Sequence, residues 1–225
     1  MTVAIVHYNT PRLTEACIRS LFKHTEAARV VVFDNSDREP LPPMPGVEII
    51  DNTHGQIIDF DKMLAQYPYR EAVGGRNRSN FGSAKHCASV DKLFDLLPDG
   101  FLLMDSDVLI HHDVSPLVDE RYAAVGMIHT KSCIPLLMPM LCYINVPVCV
   151  AHGVRYFNGK KMWALSQRFP NNRYDTGAWF YESLCEHYLI VHQENIWNYC
   201  HHFGHGSWKD KNPEEWLQEY KDLWG

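Results

Sequence analysis

Hydrophobic and polar positions near the start of the chain follow two different periods. Residues 3–8 and 29–34 are apolar and rich in β-branched side chains, which is typical of buried strands, and residues 47–51 form a shorter run of this kind. Between the first two runs, apolar side chains recur at helical spacing behind Thr10 and Pro11, which suit the cap and first turn of a helix. The order strand, helix, strand, loop, strand predicts the start of a parallel sheet with crossover helices.

The middle of the chain continues this pattern. A polar, glycine-containing loop leads into a helical spacing that stops at a Pro-Asp-Gly turn, and the apolar run at 101–105 predicts a fourth strand. The second half is less regular, with a strand-like run at 123–129 and a predicted amphipathic helix at 212–225. We therefore expect one α/β domain over residues 1–225.

One uncharged segment, residues 133–151, is about long enough to span a bilayer. Pro135, Pro139 and Pro147 divide it into short pieces, and a membrane-spanning helix rarely tolerates such interruptions. We expect this segment to lie in the core, or at the rim of a pocket that faces a lipid or another acceptor.

The composition indicates a folded, cytosolic protein. The chain is 46% hydrophobic, enough to build a core, and its formal net charge of −6 argues against a nucleic-acid-binding protein. Seven cysteines without a CxxC pair are typical of reduced, mostly buried thiols. The amino-terminal residues enter a strand at once, without the features of a signal peptide. We expect a cytoplasmic location, with peripheral contact to the inner face of the membrane as an alternative, and no nucleic-acid partner.

Polar side chains follow three of the predicted strands. Tyr8 and Asn9 end the first strand, Asp34 ends the second, and Asp105 ends the fourth. In open α/β sheets, ligands bind outside the carboxyl ends of the strands. The sequence therefore predicts that these groups face one crevice.

The carboxylates of Asp105 and Asp107 are separated by one residue. In an extended backbone this spacing places both side chains on one face, and paired carboxylates suit a hard divalent cation such as Mg²⁺ or Mn²⁺. The spacing is equally compatible with a solvated strand end that carries turn-forming aspartates. We keep both interpretations open at this point.

Four segments together resemble a known enzyme family. They are VAIVHYNTPRLTEACIRSL, VVVFDNSD, NFGSAKHCASV and FLLMDSDVLI, and their order and spacing resemble the family 2-like glycosyltransferases with the GT-A fold. The resemblance covers about the first 115 residues. It implies a GT-A, Rossmann-like fold with a mixed, mainly parallel sheet flanked by helices. It also implies a nucleotide-sugar-binding half at 1–110 and an acceptor-binding half at 111–225.

The same resemblance implies a set of nucleotide-binding residues. In that family the first strand end and the acid after the second strand hold the base and ribose, and an Asn-x-Gly loop before a helix lies near the nucleotide. An arginine before that loop can contact the diphosphate, although arginines there are also common as solvated loop charges. The matching residues are His7, Tyr8, Asn9, Asp34, Arg76, Arg78, Asn80, Gly82, Asp105 and Ser106.

The resemblance further implies a metal site and a catalytic base. Asp105 and Asp107 match the DxD motif, whose Mn²⁺ or Mg²⁺ ion grips the diphosphate, and a late histidine, His202 or His205, adds a ligand; the alternative is a glycine-rich turn with solvated histidines. An acid from the second half acts as the base. Asp175 is the first candidate, although its position also suits a helix cap, and Glu182 is the second.

The expected function is metal-dependent transfer of a sugar from a UDP- or GDP-sugar to an acceptor hydroxyl, with inversion. The acceptor is a glycan, a lipid-linked molecule or a small molecule. A haloacid-dehalogenase-like phosphatase with Asp105 as nucleophile is one alternative, but such chains usually begin with the strand that is fourth here. A non-catalytic module that binds sugar nucleotides or glycans is the other.

Overall fold

A computed structural model of the 225-residue chain shows how these segments assemble. The structure describes residues 1–26, 29–66, 80–131, 134–168, 175–204 and 212–225.

The described residues build one seven-stranded sheet that contains strands from both halves of the chain. Its strand order is β3-β2-β1-β4-β7-β6-β8. The first four of these strands are parallel, β7 runs antiparallel to both of its neighbours, and β8 runs parallel to β6. The predicted mixed, mainly parallel sheet is therefore confirmed, while the division at residue 110 stays a prediction. The strands are β1 (Thr2–His7), β2 (Arg29–Asp34), β3 (Val47–Asp51), β4 (Phe101–Asp105), β6 (Ala124–His129), β7 (Leu136–Ile144) and β8 (Val191–Gln193).

A second, antiparallel sheet pairs two short strands, β5 (Val108–Ile110) and β9 (Cys200–His202). Helices flank the main sheet. Within the described residues they are α1 (Pro11–His24), α2 (Phe60–Gln66), α3 (Asn80–Leu96), α4 (Val146–Ala151), α5 (Gly159–Arg168), α6 (Ala178–Glu186), α7 (Pro213–Glu219) and α8 (Lys221–Trp224).

The central strands of the main sheet are buried on both faces. Val3 and Ile5 of β1 share a core with the apolar face of α1, whereas Ala4 and Val6 share one with α3 and α6. Because neighbouring strand residues point to opposite faces, a strand covered on both sides needs apolar residues at every position. This requirement explains the uninterrupted apolar runs in the sequence.

The proline-containing segment forms sheet and core. Its described part is β7 followed by α4, and β7 lies between β4 and β6. The pairing of β7 with β6 shifts register between Gly126 and Ile128, and Pro139 lies in the part of β7 opposite this irregularity. A bulge accommodates proline because its missing N–H is not needed in the ladder. None of the described helices is both long and apolar enough to cross a membrane.

The carboxyl terminus differs from the single helix predicted over 212–225. The backbone leaves helical geometry at Tyr220, which divides the segment into α7 and α8. The indole Nε1 of Trp224 donates a hydrogen bond to the carbonyl of Leu217 across the break, at 3.0 Å. The predicted apolar side nevertheless packs on Leu13 and Ala16 of α1. It consists of Leu217, which is buried, and the partly buried Trp216, Tyr220, Leu223 and Trp224.

Candidate active site

The sheet register brings three strand ends to one edge. His7, the last residue of β1, is aligned with Asp34 of β2, and Val6 is aligned with Asp105 of β4. The carboxyl ends of these parallel strands therefore meet, as the polar residues after them predicted.

The acid pair occupies a tight turn instead of a continuous strand. Asp105 is the last residue of β4, Ser106 and Asp107 form the turn, and β5 begins directly afterwards. The turn arises because β5 leaves the main sheet to pair with β9. Asp107 is 9% exposed and is the more enclosed of the two acids. Ser106 is half-buried between them.

Pairing of β5 with β9 adds a histidine to the acid pair. Val108 is aligned with His202, and the backbone N–H of Phe203 donates to the carbonyl of Asp107 at 3.0 Å. As a result, Nε2 of His202 lies 3.1 Å from Oδ1 of Asp107. One ligand atom from each of Asp105, Asp107 and His202 lies within 4.8 Å of the others.

The three side chains fit a divalent cation. Burial and, to a smaller extent, the negative charge of Asp107 raise the pKa of Asp105 to about 7, although His202 acts in the opposite direction. A cation in this cluster would reverse the repulsion between the carboxylates. Two carboxylate oxygens and one imidazole nitrogen are ligands that Mn²⁺ accepts, and Mg²⁺ accepts the oxygens.

His86 of α3 is a functional candidate that the sequence interpretation missed. Its Nε2 lies 3.9 Å from Oδ1 of Asp105. Burial lowers the pKa of His86 to about 4, although the charges of Asp175 and Asp107 act to raise it. The sequence feature that could have identified it is a histidine between two small residues, Ala84 and Cys87. These residues lie near the start of a helix that packs on β1 and β4.

Asp175 lies in a turn that directly precedes α6. Its Oδ1 accepts the backbone N–H of Thr176 at 2.9 Å, and its carbonyl accepts the N–H of Ala178 at 3.2 Å. Gly177 occupies the cap position with φ 87°, and a Cβ there would lie 2.2 Å from the carbonyl oxygen of Leu137. Glycine therefore allows this turn to approach β7 closely. The charge of Asp175 acts to raise the pKa values of both His86 and Asp105, so this carboxylate lies within electrostatic range of the acid pair.

Glu182, the second candidate base, lies on α6. Its Oε1 forms an ion pair with the guanidinium of Arg168 on α5. This ion pair engages one oxygen of the Glu182 carboxylate with an arginine on the neighbouring helix. This contact favours Asp175 over Glu182 as the base.

His7 and Asp34 are enclosed beneath the crevice. Nδ1 of His7 lies 2.8 Å from Oγ1 of Thr14, and its Nε2 lies 3.3 Å from the carbonyl of Glu39. Asp34 is 1% exposed and accepts the backbone N–H groups of Ser36 and Leu41, with one carboxylate oxygen for each. Both side chains thus hold the loop at residues 36–41 in place.

Tyr8 and Asn9 form the rim above that loop. Asn9 has φ 54°, and its Oδ1 accepts three consecutive backbone N–H groups, those of residues 37–39. The hydroxyl of Tyr8 donates to Asp37 at 3.3 Å. The ammonium of Lys85 lies 5.8 Å from the centre of the Tyr8 ring. The rim therefore combines an aromatic ring, a carboxylate and a cation.

Several predicted site residues lie wholly or partly outside the described part of the chain. Arg76, Arg78 and His205 lie outside the described residues. Asn80 begins α3 and Gly82 lies in its first turn, but only their backbone assignment is described.

No family model and no curated protein matches the sequence. Among solved structures, the chain resembles the galactosyltransferase LgtC in complex with donor and acceptor sugar analogs. The identity is 13% over 87% of this chain and 74% of LgtC, with a TM-score of 0.57. It also resembles mouse xyloside xylosyltransferase 1, at 8% identity over 87% of this chain and 86% of that one, with a TM-score of 0.56. At such low identity the likeness concerns the fold, and the chain has the GT-A fold of these glycosyltransferases.

Proposed function

We propose that this protein is a metal-dependent glycosyltransferase that uses a UDP- or GDP-sugar as donor and a hydroxyl group as acceptor. The observation that carries the proposal is the cluster of Asp105, Asp107 and His202 at the carboxyl edge of a GT-A sheet. The resemblance to LgtC, a galactosyltransferase crystallised with donor and acceptor sugar analogs, supports the same class of reaction.

The cluster of Asp105, Asp107 and His202 would hold the ion. A bound divalent cation supplies Lewis-acid stabilisation of the nucleoside diphosphate leaving group. The imidazole ligand favours Mn²⁺ over Mg²⁺, because magnesium prefers an all-oxygen shell. The three protein groups would hold the ion next to the crevice in which the nucleotide would lie.

The rim of the crevice is the proposed nucleotide site. Tyr8 offers a ring and a hydroxyl, the loop at 36–41 offers backbone carbonyl groups because its N–H groups are bonded to Asp34 and Asn9, and Ser106 lies between the metal ligands. His7 and Asp34 act by holding this loop, since their polar atoms already have partners in the protein. The proposed diphosphate contacts in and near the loop before α3 are Arg76, Arg78, Asn80 and Gly82.

Asp175 is the proposed base that removes the proton from the acceptor hydroxyl, with Glu182 as the second candidate. A carboxylate beside the metal ligands can reach an acceptor that approaches the donor sugar on the face away from the diphosphate, which would give an inverted product. The acceptor is a glycan, a lipid-linked molecule or a small molecule. A cytoplasmic location, with or without peripheral membrane contact, belongs to this proposal.

A nucleotide-release assay tests the function. The purified protein is incubated with UDP- and GDP-sugars in Mn²⁺, Mg²⁺ or EDTA, and free UDP or GDP is measured. We expect release with Mn²⁺, and its loss in Asp107→Ala. Asp99→Ala is the matched control. Asp99 is an exposed acid just before the start of β4, whereas Asp107 lies just after its end. Full activity of Asp107→Ala would contradict the proposed metal site.

Two other results would each overturn the transferase proposal. Binding of UDP or GDP without release from any sugar nucleotide would indicate a non-catalytic module. Release of phosphate from phosphomonoesters without a sugar nucleotide would indicate a phosphatase. The configuration of a transferred sugar, measured by NMR, decides between inversion and retention, and a retained product would remove the need for Asp175 as a base.

A further inference from the structure

A buried ring nitrogen lacks a hydrogen-bond partner beside the proposed metal site. Nε2 of His86 is shielded from solvent and has no partner in the parts of the chain that the structure describes. Its nearest acidic neighbour is Oδ1 of Asp105 at 3.9 Å, which is too far for a hydrogen bond. A buried polar atom without a partner is rare in folded proteins and calls for an explanation.

The neighbouring carboxylate decides which nitrogen of His86 carries the hydrogen. A neutral imidazole bears one N–H group, on Nδ1 or on Nε2, and a protonated imidazole bears both. In the ionised form of Asp105 that would bind a metal ion, a lone pair on Nε2 would face a negative charge, whereas an N–H would be attracted to it. The tautomer with hydrogen on Nε2 is therefore favoured.

We propose that His86 is a positioning residue for Asp105, whose carboxylate receives a hydrogen bond from Nε2–H of His86 when it binds the metal ion. This inference rests on the metal site of the proposed function. A displacement of about 1 Å would convert the 3.9 Å separation into a normal hydrogen bond. The bond would fix one carboxylate oxygen and leave the other for the ion, as outer partners of metal ligands commonly do.

The geometry favours this role over two simpler ones. As a direct ligand, His86 would have to join the cluster of ligand atoms within 4.8 Å, but among the described residues that cluster contains only Asp105, Asp107 and His202. As a mere core residue, His86 would be a poor choice, because an apolar side chain fills the same space without leaving an N–H unsatisfied. A donor beside a metal ligand accounts for both the residue type and its orientation.

Metal titration tests the positioning role without relying on catalysis. Mn²⁺ binding is measured by calorimetry for wild type, His86→Leu and His86→Gln, alone and with UDP or GDP. We expect His86→Leu to weaken Mn²⁺ binding about 10- to 100-fold, and His86→Gln, which retains an N–H donor, to recover most of it. His187→Gln is the control, since His187 is exposed at the end of α6.

Two further measurements separate this role from misfolding and from direct ligation. In EDTA, His86→Leu should melt no lower than wild type, because it removes an unsatisfied polar atom. Pulsed EPR of bound Mn²⁺ should show one imidazole nitrogen in both wild type and His86→Leu, and none in His202→Ala. Loss of a nitrogen signal in His86→Leu would make it a direct ligand and overturn the proposal.

The outcomes distinguish this inference from the proposed function. Wild-type protein that binds no Mn²⁺ under any of these conditions would refute the metal site, and with it both proposals. Wild-type protein that binds Mn²⁺, together with a His86→Leu variant that binds it equally well, would refute only the positioning role.

Discussion

Asp105→Asn is expected to stabilise the metal-free protein at alkaline pH. The pKa of Asp105 is raised from 3.8 to about 7, first by burial and then by the charge of Asp107. The folded state thus binds the proton more tightly than the unfolded state, so stability is lost as the pH rises from about 4 to about 7. This rise of about 3 in the pKa corresponds to a loss of at most about 4 kcal/mol in the free energy of unfolding at pH above 7.

The Asp105→Asn variant removes the energetic cost of the buried charge, because asparagine has nearly the same shape and no charge. Asparagine remains a buried polar group, so we expect a gain of about 2 kcal/mol in the free energy of unfolding at about pH 8, and no gain at about pH 4. Urea unfolding in EDTA at both pH values measures the difference. Asp99→Asn provides the control, since it makes the same substitution at an exposed acid near the other end of β4.

Addition of Mn²⁺ should make the wild-type protein more stable than Asp105→Asn. A ligand that binds only the folded state raises the melting temperature, and the wild-type protein has the full set of ligands whereas Asp105→Asn does not. The reasoning is refuted if Asp105→Asn is no more stable than wild type at about pH 8, or if its advantage is the same at both pH values.

Three further predictions concern the same region. Mn²⁺ affinity should fall about tenfold per pH unit below about 7, because the ion must displace the proton held by the first acid of the pair, and calorimetry in buffers of different pH measures this. Gly177→Ala should destabilise the protein by about 2 kcal/mol or more in urea unfolding, since its Cβ would clash with Leu137 at φ 87°. Gly153→Ala, at φ 70° with open space around it, should cost less and isolates the clash. Asp175→Asn should lower kcat about a hundredfold or more without changing nucleotide affinity, whereas the ion-paired Glu182→Gln should have little effect.

The first half of the fold was predictable because its local pattern and its tertiary environment agree. Strands such as β1 and β2 are buried on both faces, so all their interior positions are apolar, and α1 has one continuous buried face. Polar residues at the strand ends, including Asp34 and Asp105, then mark the carboxyl edge of the sheet. These features are visible in the sequence because each depends on residues close together along the chain.

The second half was less predictable because its paired strands are short and lie far apart in the sequence. Strands β5 and β9 have three residues each, too few for a periodic pattern, yet their pairing brings His202 to Asp107 across 95 positions. Nothing local separates His202 from its neighbouring histidines as a ligand. His86 was missed for a related reason: its importance depends on the orientation of one ring nitrogen toward Asp105.

The direction of a pKa shift separates acids that serve the fold from acids that serve a site. Asp119 is held by Arg121, whose hydrogen bonds lower the pKa of this carboxyl to about 2, so its charge is compensated within the protein. Burial and neighbouring acids shift Asp105 in the opposite direction, to about 7, which is unfavourable for the metal-free fold near neutral pH. A residue that costs stability where an asparagine would not is best explained by a ligand that compensates its charge. The uncompensated charge of Asp105 is thus a physical argument for the proposed metal site, in addition to the geometry of the Asp105, Asp107 and His202 cluster.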